Sequence, residues 1–329
     1  MRSVLITGGC GFIGINLVRA ILSLKNIRIL VIDNLSSGSK EELQKVGPVT
    51  EVTSPDFKGN YTSPGVAFLK ADILDDRLAK KVCQHSDGII HLAANAGVLP
   101  SIEDPRSDCF INIVGTLNYL EAARLNSVPR FVFASSGAPL GEQHPPVHEE
   151  MVARPLSPYG ASKLSGEAYC SAYYNSFGLE TVALRFGNVY GPHSSRKNSV
   201  VAKFIKHILA TEPMPIYGDG LQTRDFIYVD DLIRAILLAF EKPEVGGHIF
   251  QIATYREHTV VEVAEELNRL AEKHLGRRSP IVYEQERRGE VRRSYSDISK
   301  AKKVLEFEPK YELEEGLERT FLWFLENWG

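Results

Sequence analysis

The sequence predicts an α/β protein, a doubly wound parallel sheet with a smaller C-terminal α/β region, and three observations carry that reading. The first half alternates short β-branched runs with longer amphipathic segments, the pattern of a parallel sheet covered by helices on both faces. A run of glycines separates the first such strand from the first such helix. A carboxylate closes the second strand, about 20 residues further on.

The strands expected, in order, are Val4–Thr7, Arg28–Ile32, Ala67–Leu69, Gly88–His91, Arg130–Ala134 and Thr181–Arg185. Helical spacing of apolar residues covers Phe12–Leu24, Leu78–Cys83, Asp108–Leu125 and Ala161–Phe177. Gly47 to Gly65, rich in Pro, Ser and Thr, reads as a long surface loop. After about residue 190 the pattern changes. Helices at Val200–Ala210, Asp230–Phe240, Val260–His274 and Leu313–Asn327 are divided by short strands and glycine turns. The 329 residues suit one large or two fused domains, and the expected division is 1–190 and 191–329, with some later segments returning to the first.

Composition narrows the function class. Apolar residues make up 43% and charged residues 24%, the balance of a folded soluble chain. The net charge is −3 with Lys and Arg scattered, so no basic stripe argues for nucleic acid. No apolar run approaches the roughly 18 residues of a membrane span, and the chain enters its first strand without a signal-peptide pattern. Cys10, Cys83, Cys109 and Cys170 are far apart and the histidines form no HExxH, so free thiols in a reducing cytoplasm are expected and a metal centre is not.

Residues 7–14 read Thr-Gly-Gly-Cys-Gly-Phe-Ile-Gly, and Gly8, Gly11 and Gly14 satisfy GxxGxxG while Gly9, Gly11 and Gly14 satisfy GxGxxG. Missing side chains let a pyrophosphate approach the backbone, and the next helix directs free N–H groups and its dipole at the anion. The loop lies between strand and helix, as a dinucleotide fingerprint requires. Asp33 at the end of the second strand can accept hydrogen bonds from an adenosine ribose and would repel a 2′-phosphate, favouring NAD over NADP. The plainer alternative for Asp33 is a turn residue. The first region thus reads as a Rossmann-type NAD-binding domain and the second mainly as a substrate-binding region.

Ser157-Pro158-Tyr159-Gly160-Ala161-Ser162-Lys163 sets Tyr159 and Lys163 one helical turn apart on one face. A tyrosine of ordinary pKa near 10 is a poor base at neutral pH. A neighbouring ammonium, helped by a nicotinamide cation, is expected to lower that pKa. By itself the pair is compatible with a solvated helix face. Ser136, at the carboxyl end of the fifth strand, is the third candidate, able to bond a sugar hydroxyl and relay its proton to Tyr159; its alternative is a turn cap.

With loop, acid, serine, tyrosine and lysine in this order, the chain resembles the extended short-chain dehydrogenase/reductase superfamily. Within it the sequence is similar to nucleotide-sugar epimerases, with UDP-glucose 4-epimerase as the type enzyme and UDP-N-acetylglucosamine 4-epimerases alongside. Further matching segments are Asp33-Asn34-Leu35, Ala71-Asp72-Ile73, His91-Leu92-Ala93-Ala94, Asn112 with Gly115-Thr116, Leu184 to Pro192, and Gly218-Asp219-Gly220 with Thr223 to Phe226. Arg287 to Val291 and Asp297 to Ala301 complete the set, so the resemblance spans essentially the whole chain.

The resemblance implies that NAD is held by Gly8, Gly11, Phe12, Ile13, Gly14, Asp33 and Asn34. Asp72 and Ile73 at the adenine, and Leu92, Ala93, Ala94, Asn112, Tyr159 and Lys163, join them. It implies Ser136, Tyr159 and Lys163 as the catalytic group, and Ser136, Tyr159, Asn188, Val200, Arg224, Arg287, Glu290 and Ser294 around a UDP-sugar. Arginine's planar fork suits diphosphate oxygens, although a lone Arg is more often a surface ion-pair partner. It also implies a homodimer built on the helices Asp108–Leu125 and Ala161–Phe177.

Two departures bear on function. Pro139-Leu140-Gly141 stands where the family usually has Val-Tyr-Gly, a change in cleft shape rather than chemistry. Ser136 is followed by Gly137 and Ala138, whereas dehydratases of the superfamily carry an acid there, so dehydration is not expected. The expected activity is inversion at C4 of a UDP-sugar through a 4-keto intermediate, with NAD retained. The resemblance aligns Ser294 with a gate beside the C2 substituent where a bulky tyrosine limits members to plain hexoses, which favours UDP-GlcNAc/UDP-GalNAc besides UDP-Glc/UDP-Gal; the plainer alternative for Ser294 is a loop residue. Two alternatives stay open: a UDP-glucuronate 4-epimerase, with His193, Ser195 or Arg196 meeting the C6 carboxylate, and a catalytically silent NAD-binding regulator on the same fold.

Overall fold

The computed structural model describes residues 2–24, 26–53, 65–84, 86–286 and 291–328. The chain opens with β1 (Arg2–Thr7), α1 (Phe12–Leu22), β2 (Ile27–Asp33), α2 (Lys40–Lys45), β3 (Val49–Glu51), β4 (Gly65–Lys70), α3 (Asp76–Val82) and β5 (Gly88–His91). Next come α4 (Val98–Glu103), α5 (Pro105–Cys109), a π turn at Phe110–Val114, α6 (Gly115–Leu125), β6 (Arg130–Ser136) and α7 (Pro158–Phe177). The second half holds β7 (Glu180–Phe186), β8 (Asn188–Tyr190), α8 (Val200–Ala210), β9 (Met214–Tyr217), β10 (Thr223–Arg224), β11 (Phe226–Tyr228) and α9 (Val229–Glu241). It closes with β12 (Ile249–Ile252), β13 (His258–Thr259), α10 (Val260–Leu275), β14 (Ile281–Glu284), a π turn at Ala301–Leu305 and α11 (Leu313–Asn327).

An eight-stranded sheet in the order β12-β7-β6-β5-β1-β2-β4-β3 forms the centre, with parallel pairing throughout. Strand alternation divides the apolar residues between two layers. Ile29 and Val31 of β2 pack with α1 and α9, while Leu30 and Ile32 pack with α3 and α6. Strand order reverses between β1 and β5, so the carboxyl ends of β1, β2, β5 and β6 border the crevice where such sheets take ligands.

Three elements differ from the sequence expectation. The supposed loop from Gly47 contains β3, because the β-branched pair Val49-Thr50 lies parallel to Val66 and Ala67. An edge strand from the second half, β12, extends the sheet beside Ala183–Phe186. The helix expected over Asp108–Leu125 is interrupted at Phe110–Val114. There the buried Asn112 side chain takes Asp108 Oδ1 at 2.9 Å and Ser162 Oγ at 3.0 Å, while Thr116 Oγ1 donates to the Asn112 carbonyl at 2.6 Å. Side-chain bonds to a helical ladder are a recognised cause of such a bulge. Among the described residues no helix is long and apolar enough to cross a membrane.

Candidate active site

The glycine loop is shaped by contacts no side chain would permit. Gly8 has φ +72°, and a Cβ there would lie 2.7 Å from Ala93 N. A Cβ on Gly14 would lie 2.4 Å from the Gly8 carbonyl oxygen. Gly11 is the N-cap of α1 and carries no side chain to bond the helix start, so the first-turn N–H groups of Phe12, Ile13 and Gly14 have no capping side chain. Leu92 N donates to Thr7 O at 3.1 Å and Ala93 N to Thr7 Oγ1 at 3.3 Å, which holds the Leu92-Ala93-Ala94 turn beside the loop.

Asp33 is 9% exposed and accepts from Cys10 N at 2.9 Å and Leu35 N at 2.8 Å. Burial pushes its carboxyl above the ordinary range, and these two N–H bonds work against that shift. Each oxygen keeps a lone pair for a diol. Asn34 Nδ2 donates to Asp72 Oδ2 at 3.0 Å, tying the end of β2 to the end of β4. Buried Ile73 packs against Gly115, where a Cβ would sit 2.5 Å from Ile73 Cδ1.

Tyr159 and Lys163 occupy the start of α7, capped by Ser157 Oγ accepting from Gly160 N at 3.1 Å. Lys163 Nζ donates to the Ala134 carbonyl at 2.8 Å and lies 4.9 Å from the Phe133 ring centroid. Burial lowers its pKa to about 8, while Asp108 and Glu167 pull it back up. Tyr159 is pushed up to about 12 by burial, and its hydrogen bond with Ser136 works in the opposite direction. The expectation that the neighbouring ammonium brings Tyr159 towards neutral pH is thus corrected for the protein's own groups. Desolvation outweighs an ammonium that lies 5.9 Å from the phenol centroid and is bonded to a backbone carbonyl.

The two strand-end serines have different fates. Ser135 Oγ turns inward and donates to Glu167 Oε1 at 2.6 Å. Ser136, on the opposite face by alternation, accepts from Ala138 N at 3.2 Å and reaches Tyr159. Asn112 is spent on the protein, since its side chain also accepts from Asn95 N at 2.8 Å and donates to Asn95 O at 3.1 Å.

The remaining residues converge from distant segments. Asn188 N donates to Asp225 O at 2.8 Å, and Asn188, Ser199, Val200 and Phe226 line a cavity of about 90 Å³. Arg224 Nη1 donates to the Thr223 carbonyl at 2.6 Å and the Val291 carbonyl at 2.8 Å, which sets it against the segment carrying Ser294. That segment is held firmly. Arg292 pairs with Asp219, Arg293 pairs with Glu257, and Ser296 N donates to Asp225 Oδ2 at 3.2 Å. Val147 N donates to Tyr295 O at 2.9 Å, linking this wall to the loop that follows β6. Arg287 and Glu290 lie outside the described residues.

Comparison with known proteins agrees with this geometry. Residues 4–253 match the model of the NAD dependent epimerase/dehydratase family. The chain belongs to that family. A UDP-glucuronate 4-epimerase of Thermodesulfobacterium geofontis is 35% identical over 99% of this chain and 97% of its own. The UDP-glucose 4-epimerase of Thermotoga maritima, solved with UDP-glucose, is similar over 100% of both chains at 35% identity and TM-score 0.87. A UDP-N-acetylglucosamine 4-epimerase of Methanobrevibacter ruminantium, solved with UDP-N-acetylmuramic acid, covers 99% of both at 33% identity and TM-score 0.87.

For an NAD dependent epimerase/dehydratase family member the cofactor residues fit their group. The loop has the room of absent Cβ atoms, an uncapped helix start for a diphosphate and a buried carboxylate for a ribose. Sequence reasoning missed the buried groups around Lys163: Asp108, Ser162, Glu167 and Arg185 are 1–3% exposed. One signal was available for Glu167, which follows Tyr159 and Lys163 at successive turns of α7 and therefore lies on their face. A charge on the buried face of a helix asks for a partner.

Proposed function

We propose that this chain is a UDP-sugar 4-epimerase that works with retained NAD on UDP-GlcNAc/UDP-GalNAc, UDP-Glc/UDP-Gal or both. The observation that carries the reading is the hydrogen bond between Ser136 and Tyr159, with Lys163 one turn further along α7 and its Nζ bonded to the Ala134 carbonyl at the end of the same strand. Tyr159, directly or through Ser136, takes the proton of the sugar C4 hydroxyl and returns one to the inverted hydroxyl. Lys163 supplies positive charge beneath the phenolate. NAD, when bound, supplies the hydride acceptor and donor and a positive ring charge. Asn188, Arg224 and Arg287 hold the UDP portion, so that the 4-keto sugar turns while the nucleotide stays fixed, and Val200 and Glu290 join them around the substrate. Gly137 and Ala138 offer no acid for eliminating water.

Ser294 supports room at C2 because it is small, and it directly follows the ion-paired Arg292 and Arg293. The glucuronate alternative has weaker support from this chain. His193 Nδ1 lies 3.4 Å from Glu42 Oε2 and its ring 4.8 Å from that of Trp323, and Arg196 acts on Glu41. Two of the three groups considered for a C6 carboxylate therefore have other neighbours. A homodimer is proposed through the π turn at Phe110–Val114, α6 and α7, where Phe110, Leu125, Tyr169 and Phe177 leave large apolar surfaces exposed. The test is proton NMR of the purified protein with UDP-Glc, UDP-GlcNAc and UDP-GlcA and no added NAD. Galacto-configured product supports the reading, and the sugar converted fastest identifies the substrate. Three unchanged sugars, with added NAD making no difference, overturn it.

A further inference from the structure

Beneath the strand that presents Ser136 lies a charged network that the proton transfers described above do not use. Glu167 and Arg185 are 2% and 3% exposed, and they meet side-on: Arg185 Nε is 2.8 Å from Glu167 Oε1 and Nη2 is 2.7 Å from Oε2. The same Oε1 accepts from Ser135 Oγ at 2.6 Å. Ser135 and Arg185 face one another in the β6–β7 register, with Ser136 opposite Phe186. Buried ion pairs seldom improve on apolar packing. One retained at the carboxyl end of two central strands, and bonded to the residue next to Ser136, calls for a different role.

Strand geometry supplies it. Successive side chains of β6 point to opposite faces, so the bond from Ser135 to Glu167 anchors the end of the strand in the register that presents Ser136 outward, towards Tyr159. Glu167 also lies one turn beyond Lys163 on α7. The titratable and charged groups about Lys163 are Asp108 from α5, His91 from β5, Tyr159, Glu167 and Cys170 from α7, and Arg185 from β7, whose guanidinium is paired with Glu167 and offsets part of its charge. Only Asp108 and Glu167 among these are carboxylates. Burial works against the ammonium and both carboxylates work for it.

Building on the epimerase reading, we propose that Glu167, braced by Arg185, is a positioning residue with two effects: through Ser135 it aims Ser136 at Tyr159, and by its charge it keeps Lys163 an ammonium. The two effects separate experimentally. Ser135→Ala removes the aiming bond and leaves the charge. Glu167→Asp keeps the charge but withdraws it from Ser135. Glu167→Gln keeps the length and removes the charge.

The experiment measures kcat and KM against pH for the wild type and the three variants, each with bound NAD counted per chain. Ser135→Ala and Glu167→Asp are expected to lose about tenfold in kcat with KM within about twofold, the signature of a transition-state interaction. Their alkaline limb is expected to stay in place. Glu167→Gln is expected to shift the alkaline limb of kcat down by about half a pH unit or more, since Lys163 then loses its proton more readily. Wild-type kcat in both Ser135→Ala and Glu167→Asp, or an unmoved alkaline limb in a folded, NAD-loaded Glu167→Gln, overturns the proposal. If Glu167→Gln does not fold, the kcat of the other two decides. A wild type that leaves every UDP-sugar unchanged refutes the epimerase reading itself, whereas an active wild type with unmoved variants refutes only the role of Glu167.

Discussion

The two sides of the crevice are built in different ways. The cofactor side is mostly backbone: a loop in which a Cβ on Gly8 or Gly14 would come within 3 Å of other main-chain atoms, an uncapped helix start, and one carboxylate at a strand end. The proposed substrate side is side chains on separate short segments, Asn188 in β8, Arg224 in β10 and Ser294 in a stretch ion-paired through Arg292–Asp219 and Arg293–Glu257. A backbone site leaves no atom free to vary without moving the main chain. A side-chain site mounted on a pinned frame can change its ligand while the frame stays. The first suits a cofactor common to a family, and the second suits a sugar that differs among its members.

The largest effect should come from the seam between the sides. Tyr159→Phe is expected to lower kcat by about a thousandfold, within the range for losing a general acid–base group. NAD content should stay near wild type, because the glycine loop and Lys163 are untouched and Tyr159 loses only its hydroxyl. Loss of NAD in this variant would mean that the seam belongs to the cofactor side.

Gly14→Ala should break the cofactor side alone. The added Cβ, 2.4 Å from the Gly8 oxygen, forces the loop and α1 apart. Purified protein is expected to carry almost no NAD, with stability lowered by about 2 kcal/mol or more. Retained NAD at wild-type levels would show the loop to be more yielding than a backbone site allows.

A third prediction concerns pH. His91, beneath the loop, is 1% exposed, bonded to Thr7 Oγ1 at 2.9 Å and Thr116 Oγ1 at 3.2 Å, with Phe131 and Phe133 stacked on it. Burial pushes its pKa down to about 3. The unfolded chain therefore binds a proton below pH 6.5 that the folded one refuses, and stability present above pH 6.5 is lost as pH falls. Between pH 6.5 and 5 the loss attributable to His91 is about 1 to 2 kcal/mol. Urea unfolding at the two pH values should show a smaller difference in His91→Gln, and an equal difference would contradict this.

The smallest effect should sharpen the contrast. Ser294→Tyr is expected to reduce kcat/KM for UDP-GlcNAc relative to UDP-Glc by about tenfold, the order of a steric discrimination. Stability should stay within about 0.5 kcal/mol of wild type, as for substitutions outside the core. An unchanged ratio would remove Ser294 from the wall.

The same difference explains what could be read from the sequence. The cofactor side was legible because Gly8, Gly11, Gly14 and Asp33 fall in one βαβ stretch whose spacing is set by local geometry. The helices Val200–Ala210 and Leu313–Asn327 were legible to the residue, since their apolar periodicity is strong. The substrate wall was not legible from spacing: Asn188, Arg224 and Ser294 are joined only by tertiary bonds, and only the family resemblance singled them out. Nor was the pair Glu167–Arg185, whose partners meet across a helix and a strand. The strand at Val49–Glu51 was missed because three residues beside Pro48 carry too little pattern.

The central claim is that the hydrogen removed from C4 returns to the same sugar on the other face. UDP-sugar labelled with deuterium at C4, incubated to equilibrium in ordinary water with unlabelled UDP-sugar present, tests it directly by NMR and mass spectrometry. The prediction is an inverted product that keeps deuterium at C4, with no exchange into solvent or onto the unlabelled sugar. Deuterium lost to water, or found on sugar that began unlabelled, would contradict it.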